Sequence, residues 1–118
     1  MKLLKAIPIL YSSDIEKSVE YFTKQLKFAE KWNYDTPATF GGVVMDNVEI
    51  FFCKECQGSP GTWLSIVVDN VDAFYESIKG GEAKILSLPV TKEWSMREML
   101  IECPDGHIIR VGHNTSCD

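Results

Sequence analysis

Cys53-Lys54-Glu55-Cys56 sets two thiols at the spacing used by zinc ribbons and by thiol redox proteins. A ribbon needs a second such pair, and the remaining cysteines, Cys103 and Cys117, do not make one. A redox pair opens a helix, whereas here a strand-like run precedes the motif and Gly58, Ser59, Pro60 and Gly61 follow it. The motif is therefore expected to be structural and the thiols free. His107 falls in a turn and His113 in the C-terminal tail, so both are expected to be solvated rather than metal ligands. Ser12, Ser13, Ser65 and Ser95 have no histidine partner, which leaves no nucleophile with a base. Neither a P-loop nor a dinucleotide fingerprint is present. One residue remains as a candidate for binding. Trp94 stands among Lys92, Glu93 and Ser95, polar company in which a core tryptophan is unusual.

The elements that must position these residues follow a repeated order. Residues 3–11 form an apolar run with Pro8 inside it, which predicts an edge strand or one at an exchange point. Ser13 and Glu16 have the spacing of a capping box. Ile15, Val19, Phe22 and Leu26 then recur at helical spacing, and the helix is expected to end near Lys27. Strands are predicted over 28–34, 38–45 and 48–53, with Asp46-Asn47 turning the last hairpin. After a turn-rich linker at 54–61 the order restarts. A strand over 62–68 leads to a helix opened by Asp69-Asn70 and closed by Gly80-Gly81. Strands over 83–88, 98–102 and 107–111 follow, with Pro104-Asp105-Gly106 as the last turn. Sliding the halves by 56 residues lays Asp14-Ile15-Glu16 on Asn70-Val71-Asp72, a faint internal repeat. The expected fold is α+β, a single domain over 1–118. Module one covers about 3–53 and module two about 62–113, and the two curled sheets form a cup.

The chain has 118 residues, 45% of them hydrophobic, enough for one core without metal or disulfide staples. Twelve Lys and Arg against seventeen Asp and Glu leave a net charge of −5, which argues against nucleic acid or an anionic membrane as partner. Lys2, Lys5 and Pro8 interrupt the N-terminal apolar run, unlike a signal peptide, so a cytoplasmic location is expected.

Three stretches carry a family resemblance. Residues 7–18, continuing to Tyr21-Phe22, are similar to the opening strand and helix of the glyoxalase/bleomycin-resistance/dioxygenase (vicinal oxygen chelate) superfamily. Val68-Asp69-Asn70-Val71-Asp72 resembles the start of its second module. Trp94-Ser95-Met96-Arg97-Glu98 with Cys103-Pro104-Asp105-Gly106-His107 resembles a stretch of its bleomycin-resistance branch. The resemblance implies a repeated βαβββ unit. It also implies a homodimer with exchange of an N-terminal strand or module.

In the superfamily's enzymes up to four inward residues hold a divalent metal, and the matching positions here are Ile7, Glu49, Trp63 and Arg110. Ile and Trp supply no donor to such a metal and Arg is a permanent cation, so no metal or other cofactor is expected. Glu49 and Arg110 are instead expected to pair. The resemblance then implies a non-catalytic protein that sequesters a flat, cationic antibiotic or metabolite, such as a bleomycin-like drug, in an aromatic groove. Trp94 would stack on the ligand beside Met96 and Glu98, with Trp63, Trp32, Tyr34, Phe40 and Phe52 as further lining. Trp63, filling a vacated metal position, is also a candidate core residue, as are Phe52 and Phe40 at strand spacing. The alternative is a vicinal-oxygen-chelate enzyme, either a metal-dependent lyase or dioxygenase, or a metal-free isomerase using Glu49 as base.

Overall fold

A computed structural model describes residues 1–35 and 38–116, with Tyr34 described by its backbone alone. Among the described residues eight strands and two α-helices run in the order β1 (Ile9–Ser12), α1 (Ile15–Glu20), β2 (Ala29–Tyr34), β3 (Phe40–Met45), β4 (Val48–Lys54), β5 (Trp63–Val67), α2 (Val71–Ile78), β6 (Lys84–Lys92), β7 (Met96–Glu102) and β8 (Ile108–Asn114). They form two four-stranded mixed sheets with the same wiring, β1-β4-β3-β2 and β5-β8-β7-β6. In each, the first strand lies parallel to the last and the other pairs are antiparallel. The repeated βαβββ order is therefore present. No helix among the described residues is long and apolar enough to cross a membrane.

Local chemistry sets the element ends. Pro8 has no amide hydrogen to give a ladder, so pairing of the first strand starts at Ile9 rather than at residue 3, and Pro8 contributes only its carbonyl to the Phe51 amide. The first helix is capped by Asp14, which accepts from the Lys17 amide at 3.2 Å, and not by the expected Ser13. Ser13 instead gives its amide to Asp105 Oδ2 (3.1 Å). A π-helical turn over Tyr21–Gln25 continues α1. On that turn Tyr21 reaches module two, where its hydroxyl donates to the Glu102 carbonyl (2.8 Å) and accepts from the Lys84 amide (3.0 Å). Burial pushes its phenol pKa above the ordinary value. Asn70 caps α2 through the Ala73 amide, and His113 Nδ1 accepts the Val71 amide beside it.

The core lies between the sheets and the helices. Leu10, Val43, Ile50 and Phe52 from the first sheet meet Ile15, Val19 and Phe22, while Met99, Ile101, Ile109 and Val111 from the second belong to the same buried cluster as Val71 and Ile78. Phe22 stands edge-on to Phe52 with centroids 5.1 Å apart. Phe52 is thus a core side chain, 1% exposed, which settles its two readings against the groove.

Two further expectations are corrected. Cys53 and Cys56 form a disulfide rather than free thiols. Cys103 is a free, buried thiol, and Cys117 lies outside the described residues. His107 is not solvated but 2% exposed, because its ring bridges the modules: Nδ1 accepts the Thr62 amide (3.0 Å) and Nε2 donates to the Tyr11 carbonyl (2.7 Å).

Candidate functional site

Alternation along the strands leaves each sheet with a face turned away from the helices. On the first sheet, a side chain at Gly41 would strike Ile15 and Val19 of α1, whereas one at Gly42 would strike Trp32 and Phe51. The open face therefore carries Trp32 and Phe51, and Phe40 joins them. Trp32 stacks on Phe40 at 5.4 Å with an interplanar angle of 8°, and Phe51 meets Trp32 edge-on at 5.0 Å. Tyr34 belongs to β2 by its backbone, and its side chain lies outside the described residues.

Glu49 lies on the same face, two residues before Phe51, and is 6% exposed. One carboxylate oxygen accepts Lys31 Nζ at 2.6 Å and the other accepts Lys5 Nζ at 2.7 Å. The hydrogen bonds from Lys31 and Lys5 hold its pKa below the ordinary carboxylate value. Arg110, the expected partner, is exposed on β8 and forms no ion pair among the described residues. Ile7 and Glu49 both line a cleft of about 480 Å³ at the junction of the modules, whose other wall includes Ser65 and Val67 of β5. Ser65 is the register partner of Arg110, and Trp63 lies two residues before it. Ile7 and Glu49 thus share the cleft, while Trp63 and Arg110 are not among the residues lining it. The chemistry of the four does not fit a divalent metal, because the only carboxylate is already saturated by two ammonium groups and the other three side chains donate nothing to it. Among the described residues, no three His, Cys, Asp or Glu side chains converge into a group able to hold a metal ion.

The second sheet presents a different face. Arg97 turns to the helix side, where it holds Asp72 of α2 through Nε (2.8 Å) and Nη2 (2.9 Å), lowering the Asp72 pKa. Its neighbours Met96 and Glu98 are thereby turned to the open side. Trp63 is 58% exposed there, so of its two readings, groove lining and core, the core one does not hold. Trp94 is equally exposed at the tip of the β6–β7 hairpin, with Lys92 Nζ 5.8 Å from its ring centroid. The structure thus gathers Trp32 and Phe40 with Glu49 on one sheet, and Met96, Glu98, Trp63 and Arg110 on the other. Phe51 was missed, although the placement of Glu49 on the inner face implies it by period-two alternation.

The family model of the Glyoxalase/Bleomycin resistance protein/Dioxygenase superfamily matches residues 6–111. The chain belongs to this superfamily. Solved structures with the fold include TioX from Micromonospora sp. ML1 (TM-score 0.81, 14% identity, covering 92% of this chain and 96% of that one). A second is the bleomycin-binding protein from bleomycin-producing Streptomyces verticillus in complex with copper(II)-bleomycin (0.79, 20%, 100% and 99%). A third is TnmS3, an antibiotic binding protein from Streptomyces sp. CB03234 (0.79, 16%, 97% and 98%). Among curated proteins none matches the chain. The superfamily contains both enzymes and binding proteins, and at these identities the solved structures share the fold alone.

Proposed function

We propose that this chain is a metal-independent binding protein that sequesters a flat small molecule, an antibiotic or a metabolite, in an aromatic groove. The observation that carries this reading is the state of Glu49. It is the one carboxylate left at the superfamily's metal positions, and Lys5 and Lys31 saturate it. A carboxylate with a lowered pKa is a poor general base, which counts against the metal-free isomerase alternative. Exposed tryptophans and a stacked aromatic cluster on the open faces suit a planar ligand, each aromatic pair adding ~0.5–1.5 kcal/mol beyond the area it buries. The antibiotic-binding proteins of like fold add support. Trp94 would stack on the ligand, with Met96 and Glu98 lining that wall, Trp63, Trp32, Tyr34 and Phe40 lining the groove, and Glu49 and Arg110 standing at the junction.

The reading includes a homodimer in which one copy's open face completes another's groove, with exchange of the N-terminal strand or module. Val67 and Leu88, 71% and 59% exposed, are the kind of surface that such a partner would cover. Sedimentation at micromolar concentration is expected to show a dimer.

The deciding experiment is calorimetric titration with metal-free bleomycin, copper-bleomycin and a panel of planar drugs. Saturable binding that Trp94→Ala weakens supports the proposal. No binding across the panel, or about one transition metal per chain in unchelated protein, overturns it.

A further inference from the structure

The disulfide between Cys53 and Cys56 ties no two elements together. Its cysteines are three residues apart in sequence, one near the end of β4 and the other in the turn beyond it. The loop-closure entropy that a disulfide removes from the unfolded chain grows with the loop it closes, so this bond adds little as a staple. The end of β4 is held by other means. Cys53 is flanked in register by Tyr11 of β1 and Phe40 of β3. The Lys54 amide donates to the Thr39 carbonyl (2.9 Å), and the Glu55 amide donates to the Ser12 carbonyl (2.9 Å). Gly58 then lies against β1, where a Cβ would stand 3.2 Å from the Ile9 carbonyl oxygen.

The two cysteines differ in access. Cys53 is 2% exposed, whereas Cys56 is exposed, as are Lys54 and Glu55 between them. Exposed disulfides are the ones that external thiols attack. Glu55 has φ 52°, a left-handed conformation that a non-glycine residue adopts at a cost. The ring therefore closes over a turn that the free chain disfavours, which favours its opening. By alternation with Glu49 and Phe51, Cys53 lies on the open face of the first sheet. Its register partner Phe40 belongs to the aromatic cluster of Trp32 and Phe51 there.

We infer that Cys53–Cys56 is a reversible exchange site for a low-molecular-weight thiol, entered at Cys56. The thiolate of such a molecule attacks Cys56 Sγ and forms a mixed disulfide there. The Cys53–Cys56 bond breaks with its electron pair leaving on Cys53, which takes a proton from water. A second thiolate attacks the sulfur of the bound thiol and releases Cys56, which is protonated in turn. The protein disulfide is thereby reduced to two thiols, and two small thiols are oxidised to one small disulfide. In the reverse direction Cys56 attacks the small disulfide, and Cys53 then closes the ring. The exchange needs no ligand in the groove and stands apart from the proposed binding role.

The test treats native protein carrying Cys117→Ser with reduced and then oxidised glutathione. Acid quenching, alkylation and peptide mass spectrometry read the state of each cysteine, and circular dichroism reads the fold. Reduced glutathione is expected to make Cys53 and Cys56 alkylatable with the circular dichroism unchanged, and oxidised glutathione to reverse this. The glutathione adduct trapped between the two states is expected on Cys56. With oxidised glutathione, Cys53→Ala is expected to form its adduct about tenfold or more faster than Cys56→Ser, because access limits the buried thiol. If Cys53→Ala does not fold, the adduct trapped in the Cys117→Ser protein decides the point of entry. A bond that glutathione leaves intact until denaturant is added overturns the inference, as does a reduction that unfolds the chain or does not reverse. Adducts found on Cys53 instead, or equal rates in the two variants, also overturn it.

Discussion

His107 Nε2 donates to the Tyr11 carbonyl across 96 residues of sequence, while Nδ1 of the same ring accepts the Thr62 amide. One imidazole therefore ties the end of β1 to the approach to β5, the two strands beside which the junction cleft opens. The Thr62 amide requires a bare Nδ1, which places the proton of the neutral ring on Nε2. His107→Ala would leave a carbonyl and an amide without partners at the module boundary. A loss on the order of 2–4 kcal/mol in denaturant unfolding is expected, from about 1–3 kcal/mol for each unsatisfied buried group. A change below about 0.5 kcal/mol would show that the bridge does not hold the modules.

Trp63 and Trp94 are equally exposed, so their replacement tests binding rather than packing. Each alanine variant is expected to unfold within about 0.5 kcal/mol of wild type. Trp94→Ala is expected to weaken a ligand found in the titrations by roughly 2–4 kcal/mol, the range of an aromatic anchor. Thermal unfolding together with tryptophan fluorescence during titration separates the two effects.

Glu49 and Asp72 both have lowered carboxyl pKa values, from Lys31 and Lys5 in one case and from Arg97 in the other. Lowered folded-state values stabilise the fold above the unfolded carboxyl pKa of about 4, and that stability is lost as pH falls through the folded values. Melting temperature followed from neutral to acid pH should drop below about pH 4. The drop should be shallower in Glu49→Gln and in Asp72→Asn, with each variant converging on wild type at the acid end. Parallel curves at all pH values would show that these pairs do not contribute.

Burial pushes the Cys103 thiol up to about 12. The thiolate is the nucleophile, so native protein at pH 8 is expected to leave Cys103 unalkylated by iodoacetamide until denaturant is added. Peptide mapping without reductant should also recover Cys53 and Cys56 joined. Rapid native alkylation of Cys103 would contradict its placement.

The doubled βαβββ order was legible from hydrophobic period, caps and turns, because these are local properties of the chain. The poor metal-donor set was legible too, since Ile7, Trp63 and Arg110 lack donor atoms wherever they sit. Phe51 and Phe52 could have been told apart by alternation from Glu49, because adjacent strand residues face opposite sides. What residue types and spacing could not decide was who meets whom across the fold. Glu49 pairs with Lys5 and Lys31 rather than Arg110 because long flexible ammonium side chains reach it from its own module. Trp63 is exposed because it lies on the open face of β5, and His107 is buried because two modules close around a turn that looks polar in sequence. Such contacts join residues tens of positions apart, and only the packed chain sets their distances.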